Sequence, residues 1–107
     1  MDNYSILITR QAAEHLSLIG QYIAIELKQP GAAKRMHELL RSTMLSLGVM
    51  PYRFGCVDEQ PWRGLEFRMV RAKNYYIYFR IDEPRKEVQI VAVIYARRDQ
   101  AKQLEKL

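Results

Sequence analysis

The stretch NYYIYFRID, residues 74–82, decides the fold, because its apolar residues recur at every second position. Tyr75, Ile77, Phe79 and Ile81 fall on one side of an extended chain, and Tyr76, Tyr78, Arg80 and Asp82 on the other. Upstream, across a turn at Lys73-Asn74, the same period holds: Leu65, Phe67 and Met69 alternate with Glu66 and Arg68. Downstream, Glu83-Pro84-Arg85-Lys86 supplies a second turn, and Val88 to Ile94 make a third strand. Three strands joined by short turns form an antiparallel meander. Its aliphatic face is predicted to pack against helices, while Tyr76, Tyr78 and Arg80 interleave aromatic and basic groups on the other face.

Before this stretch the period is helical. Tyr4-Ser5-Ile6-Leu7-Ile8 reads as a short strand, and Thr9 is placed to cap a helix by accepting backbone N–H bonds. Ala12, Leu16, Ile19, Ile23 and Leu27 then share one helical face. Leu18, Tyr22 and Ile25 make a second stripe, which is either buried under the sheet or second helix, or serves as a docking surface. Gln29-Pro30-Gly31 breaks the pattern, with Pro30 suited to open a second helix that runs to about Leu47. In that helix Ala33, Met36, Leu40, Met44 and Leu47 keep the apolar period, and Lys34, Arg35, His37, Glu38, Arg41 and Ser42 take the solvent side. The short link makes the pair an antiparallel hairpin. Gly48 ends it, and residues 49 to 63, with Pro51, Gly55 and Pro61, and Gly64 just beyond, form a long irregular connection. The last ten residues suggest a short frayed helix. The expected fold is α+β, with an N-terminal strand, an antiparallel helix hairpin and a three-stranded antiparallel meander forming one sheet, in a single domain over residues 1–107.

Composition excludes several classes. A chain of 107 residues with 49% hydrophobic and 27% charged residues can build a core without staples. Its apolar runs are too short to span a membrane, and Met1 to Arg10 lacks the basic start and apolar core of a secretion signal, which predicts a cytoplasmic protein. The lone Cys56 cannot form an internal disulfide and has no histidine near it in sequence to activate it. His15 and His37 read as ordinary helix residues, without metal-ligand spacing. There is no Gly-rich phosphate loop, no Ser-His-Asp set and no metal-site pairing of carboxylates, so no cofactor is implied and a conventional hydrolase is unsupported.

Charge is where the sequence speaks. The net charge is +5, with five basic and four acidic residues up to position 52 but twelve and eight after it. Such a basic half fits an anionic partner or plain solubility charge. Arg53 and Arg63 from the loop, Arg68 and Arg71 in the first meander strand, Arg80 in the second, and Arg97 and Arg98 after the third can gather at one rim. Guanidinium forks grip oxygen pairs, and Tyr76, Tyr78 and Tyr95 can add stacking platforms. The competing reading leaves these arginines as solvated strand-edge charges, partly paired with Glu66 and Asp99.

The order of elements, together with Tyr4 to Thr9, NYYIYFRID at 74–82 and VIYARRD at 93–99, resembles the RelE/ParE superfamily of toxins from bacterial type II toxin–antitoxin modules. The resemblance covers nearly the whole chain. It implies a growth inhibitor of the plasmid-stabilisation kind, neutralised by a cognate antitoxin, for which Leu18, Tyr22 and Ile25 offer a docking stripe. RelE-like members cut mRNA on the ribosome without metal, using basic groups and proton-transfer side chains; ParE-like members poison DNA gyrase and cut nothing themselves. Carried across, Arg71 and Arg97 match basic positions of the ribonucleases, and with Tyr95 would form the catalytic set of such an enzyme. Phe67 and Met69, however, stand where those enzymes place two lysines, Gln103 stands near their C-terminal tyrosine, and Tyr95 takes a position that is commonly histidine. Each group of that kind contributes about 10² to 10⁴-fold in rate, so the resemblance favours gyrase over the ribosome and mRNA as target. A non-toxic module that binds antitoxin or nucleic acid is the remaining alternative.

Overall fold

A computed structural model describes residues 3–58 and 62–107; Pro61 of the connecting loop lies outside the described residues. The elements are strand β1 (Ser5–Ile8), helix α1 (Arg10–Gln21) extended by a π-helical turn (Tyr22–Glu26), helix α2 (Pro30–Ser46), strands β2 (Arg68–Ala72), β3 (Tyr75–Asp82) and β4 (Glu87–Tyr95), and helix α3 (Gln100–Glu105). One sheet runs in the order β1-β4-β3-β2, antiparallel through the meander and parallel between β1 and β4. The α+β architecture expected from the sequence is present. Among the described residues no helix is long and apolar enough to cross a membrane.

Local chemistry sets the boundaries. The Thr9 hydroxyl accepts from the Ala12 N–H at 3.3 Å and starts α1, and Pro30 opens α2 where its missing N–H is harmless. Gly48 ends the hairpin because a Cβ there would stand 2.9 Å from the Tyr4 carbonyl oxygen, whose own N–H donates to the Gly48 carbonyl at 2.8 Å. The strand β2 begins at Arg68 rather than Leu65, which sits exposed in a preceding turn.

Helix α1 and α2 cover one face of the sheet. Ala12, Leu40, Met44 and Leu47 pack there on Ala72, Tyr75, Ile77, Phe79, Val88, Ile90 and Val93. The other face is covered too, against expectation: Trp62, Phe67, Tyr78, Ala92, Ile94 and Leu104 form a second buried cluster. A bulge at Tyr78/Phe79 lets both clusters form. Phe79 pairs with Ile90 and Tyr78 with Ala92, so Val91 is the extra residue, and the parity of β4 switches between Ile90 and Val93. That is why the run from Ile90 to Ile94 carries no polar face. The C-terminal helix is anchored rather than frayed, capped by Asp99 accepting from Lys102 N at 3.2 Å and pinned by buried Leu104.

Two polar contacts tie elements distant in sequence. His15 Nδ1 accepts from the Val93 N–H at 3.1 Å, closing the edge of β4 beyond the end of β1. Burial holds this imidazole below its usual pKa of 6.5, with neighbouring Glu14 pulling the other way. At the β3–β4 turn, one Glu83 oxygen accepts from Tyr4 at 2.8 Å and Tyr52 at 2.7 Å, and the other pairs with Lys86. These bonds, Lys86 first, hold the Glu83 carboxyl down at about 2, and the bond to Glu83 pushes the Tyr52 phenol up to about 12.

The His15 and Glu83 shifts act in the same sense. A group whose folded-state pKa is depressed stabilises above its unfolded value and loses that contribution as pH falls through the folded value. Stability is therefore expected to drop in two stages on acidification, one starting below about 6.5 and the other between about 4.5 and 2. Denaturant midpoints measured against pH check this. His15→Gln should flatten only the upper stage and Glu83→Gln only the lower one.

Candidate functional site

The arginines that the sequence offered as one rim divide between two ends of the sheet and between two kinds of work. In the register of β2 with β3, Arg68 lies opposite Phe79 and Arg71 opposite Tyr76, so the pair is drawn apart along the strand. The guanidinium of Arg68 donates to the Phe54 carbonyl at 2.6 Å and lies 5.0 Å from the centre of the Tyr52 ring. Arg53 donates to the carbonyls of Val49, Met50 and Ser46, at the C-terminal end of α2, and rests 4.5 Å over the Phe54 ring. A cation there satisfies terminal carbonyls and complements the helix dipole. Both arginines hold the connecting loop in place. Arg80 stands exposed further along β3, opposite Gln89, and Arg63 is exposed in the turn before β2.

At the other end, where the β2–β3 turn meets the exit of β4, the chain opens. The Ala96 N–H donates to the Asn74 carbonyl at 2.7 Å, which holds the turn against the exiting strand. Lys73 occupies that turn in a left-handed conformation, φ 52°, and its carbonyl accepts from Arg71 Nε at 2.7 Å. Across from it comes the π-helical turn after α1, where the Leu27 N–H reaches back to the Tyr22 carbonyl at 3.1 Å. Between these segments lies a groove of about 840 Å³. Its floor is apolar, from Ile23, Met36 and Leu39; its walls carry Tyr22, Tyr75 and Tyr95; its rim carries Arg35, Lys73 and Arg98. Among the described residues, no carboxylate lines it.

The tyrosines form a set. Rings of Tyr75 and Tyr95 meet at 5.6 Å between centroids, and the Tyr75 phenol is pushed up by burial and by the neighbouring phenols of Tyr95 and Tyr22. Tyr75 keeps only 8% of its surface, yet its hydroxyl makes no hydrogen bond among the described residues and remains open on the groove. Neither Arg35, Lys73 nor Arg98 forms an ion pair among the described residues.

Sequence reasoning reached part of this. Tyr95 and Arg98 line the groove, and Arg97 is exposed in the turn beside them. Arg71 is exposed nearby and lies 5.5 Å over the half-buried Tyr76 ring. Tyr78 does not belong with them: only 2% of it is exposed, beneath the second cluster, and its hydroxyl donates to Gln100 at 2.8 Å. Asp99 caps α3 instead of pairing with an arginine. Missed altogether were Tyr75, read as packing, Arg35, read as a solvent residue, and Lys73, read as a turn. The stripe of Leu18, Tyr22 and Ile25, for which burial was one expectation, is exposed at 63, 55 and 68%. Tyr22 joins it to the groove.

A family profile described as the ParE toxin of the type II toxin–antitoxin system parDE matches residues 6–100. Among solved structures, the chain is similar to one from the chromosomal ParDE toxin–antitoxin system of P. aeruginosa, at 22% identity and a TM-score of 0.71, covering 86% of this chain and 95% of that one. It is also similar to one in the toxin–antitoxin complex RelBE2 from Mycobacterium tuberculosis, at 20% identity and a TM-score of 0.68, covering 89% and 93%. No curated protein matches by sequence.

The division of labour among the arginines has a measurable consequence. Arg68→Ala removes a charge-assisted bond to a carbonyl and should cost about 1.5–3 kcal/mol in chemical denaturation. Arg98→Ala, whose side chain holds nothing in place, should stay within about 0.5 kcal/mol.

Proposed function

This chain belongs to the ParE toxin family of type II toxin–antitoxin systems, and from that footing we propose that it arrests growth in the cytoplasm by poisoning DNA gyrase, while a cognate antitoxin keeps it silent. The observation that carries the choice of target is the environment of Phe67 and Met69. Where the ribonucleases of the superfamily place two lysines, Phe67 is buried against Trp62 and Leu104, and Met69 packs beside it. An apolar cluster sealed by α3 supplies neither the positive charge nor the proton transfer that cleavage of a phosphodiester demands. Arginines on this reading bind rather than catalyse. Arg71, Arg97 and Arg98 present unburied guanidinium groups at the end of the sheet, suited to phosphates or carboxylates on gyrase or its DNA.

A second reading has one observation in its favour. Tyr95, with Arg98, stays on the wall of an open groove, with Arg71 and Arg97 near the same end of the sheet. A metal-independent endoribonuclease that cuts mRNA in the ribosome would use such a phenol for proton transfer and the arginines to stabilise charge on the transferring phosphate.

Support for the antitoxin comes from the exposed stripe on α1 and its π-helical extension. Leu18, Tyr22 and Ile25 form a helical row of large apolar side chains that no described residue covers, the arrangement against which an amphipathic segment packs.

Induction in a bacterial host without antitoxin, following translation and the DNA damage response together, tests the target. Filamentation with a damage response is expected. Rapid loss of translation with mRNA cut in ribosomes would move the assignment to the ribonuclease reading, and unimpaired growth would leave only a binding module. Replacing Arg97 and Arg98 together by alanine should abolish toxicity in a soluble, folded protein; a fully toxic double variant rejects the role given to that end of the sheet. Leu18→Glu with Ile25→Glu should weaken the antitoxin complex by about tenfold or more, as charges in an apolar anchor do.

A further inference from the structure

The groove at the end of the sheet gathers donors and positive charge that no described residue answers. Three cations, Arg35, Lys73 and Arg98, stand on its rim, and no carboxylate is found among the described residues that line it. These exposed cations edge one apolar groove, which gives it a positive field that favours an anionic occupant. Deeper in the same groove is the hydroxyl of Tyr75, a side chain more than nine-tenths buried that bonds to no other described residue. Burial and the adjacent phenols keep that hydroxyl protonated, hence a donor that awaits an acceptor.

We propose that this groove is the anchor point for one acidic side chain of the antitoxin, whose carboxylate accepts from Tyr75 and is held by Arg98 and its neighbouring cations, while aliphatic residues flanking it fill the apolar floor. The inference rests on the antitoxin reading given above and specifies its chemistry. Continuity favours a peptide as occupant: Tyr22 belongs both to the exposed stripe and to the groove wall, so a segment laid along Leu18, Tyr22 and Ile25 runs directly into it. Shape favours it as well. The Tyr75 ring belongs to the core cluster and meets Tyr95 at a tilt, with 8% of the residue left exposed, so this ring offers no open stacking surface. At Tyr75 the groove thus offers a donor, which a carboxylate needs, and not the aromatic face on which a base stacks. The floor of Ile23, Met36 and Leu39 matches aliphatic side chains.

The experiment uses the full chain, overlapping synthetic peptides tiling its antitoxin, the same peptides with each Asp or Glu replaced by its amide, and an oligothymidylate, with affinities measured by calorimetry. Tyr75→Phe removes only the hydroxyl and leaves the ring packing, and an unchanged thermal midpoint checks that the fold is intact. The binding peptide should contain one acidic residue whose amide form binds the natural protein about ten- to a hundredfold more weakly. Tyr75→Phe should lose a similar factor, and against that variant the amide change should cost little more, because both changes break one bond. Acid and amide peptides that bind alike overturn the anchor, while loss of their binding in the Leu18→Glu, Ile25→Glu variant would show that the antitoxin reading stands. If oligothymidylate binds in a Tyr75-dependent way and the peptides do not, the groove serves nucleic acid and the proposal fails. Failure of the full-length antitoxin to bind at all removes the reading beneath it.

Discussion

Everything in this molecule leans on strand β4. It lies inside the sheet, with antiparallel β3 on one edge and parallel β1 on the other, and from Ile90 to Ile94 it feeds the buried clusters on both faces. A strand so placed must be apolar where both faces are covered, must satisfy every backbone N–H, and must fit two cores at once. The bulge at Val91 meets the last demand by switching the parity of the strand halfway along. His15 meets the second, because β1 stops opposite Ile90 and the edge beyond it would otherwise present Val93 N–H to apolar surroundings. A single imidazole thus substitutes for a missing strand residue and fixes α1 across the sheet at the same time.

The position of the groove follows from where β4 ends. Once past Tyr95 the chain can no longer pair, and it turns back to α3 through Ala96, Arg97 and Arg98. The β2–β3 turn reaches the same level, since Tyr75 pairs with Tyr95. On the helix side, the π-helical turn widens the end of α1 before Pro30 begins the return. Three chain reversals meet at one end of the sheet, and their side chains edge a gap between them rather than fill it. A cleft there is a consequence of topology, and the residues that edge it are free to be chosen for binding.

How much of this was legible depended on the range of the interaction. The helix faces could be read because spacing within a helix is local: Ala12, Leu40, Met44 and Leu47 lie where their period puts them. Thr9 and Pro30 were legible for the same reason, each acting on its own next turn. Tyr78 was misplaced because strand alternation tells which residues share a side, not whether that side is covered. Its cover comes from Trp62, Phe67 and Leu104, in a loop, a strand flank and a terminal helix whose docking no short-range pattern announces. His15 was unremarkable in sequence for a related reason: its partner is a backbone N–H 78 residues away.

Basic residues were the hardest to sort, and the reason is general. A guanidinium near a helix C-terminus or above a ring looks the same in sequence as one awaiting a phosphate. Arg53 and Arg68 are bound to carbonyls of the very loop that carries or flanks them, so their positive charge is already answered. Arg35, Lys73 and Arg98 form no ion pair within the described residues, and all three edge one groove with an apolar floor. The count of arginines therefore says little about a binding surface in a fold of this size; what distinguishes the surface is charge left uncompensated beside a buried donor. Tyr75 is that donor, and its double part, ring in the core and hydroxyl in the cleft, couples the rigidity of the sheet to the geometry of the site.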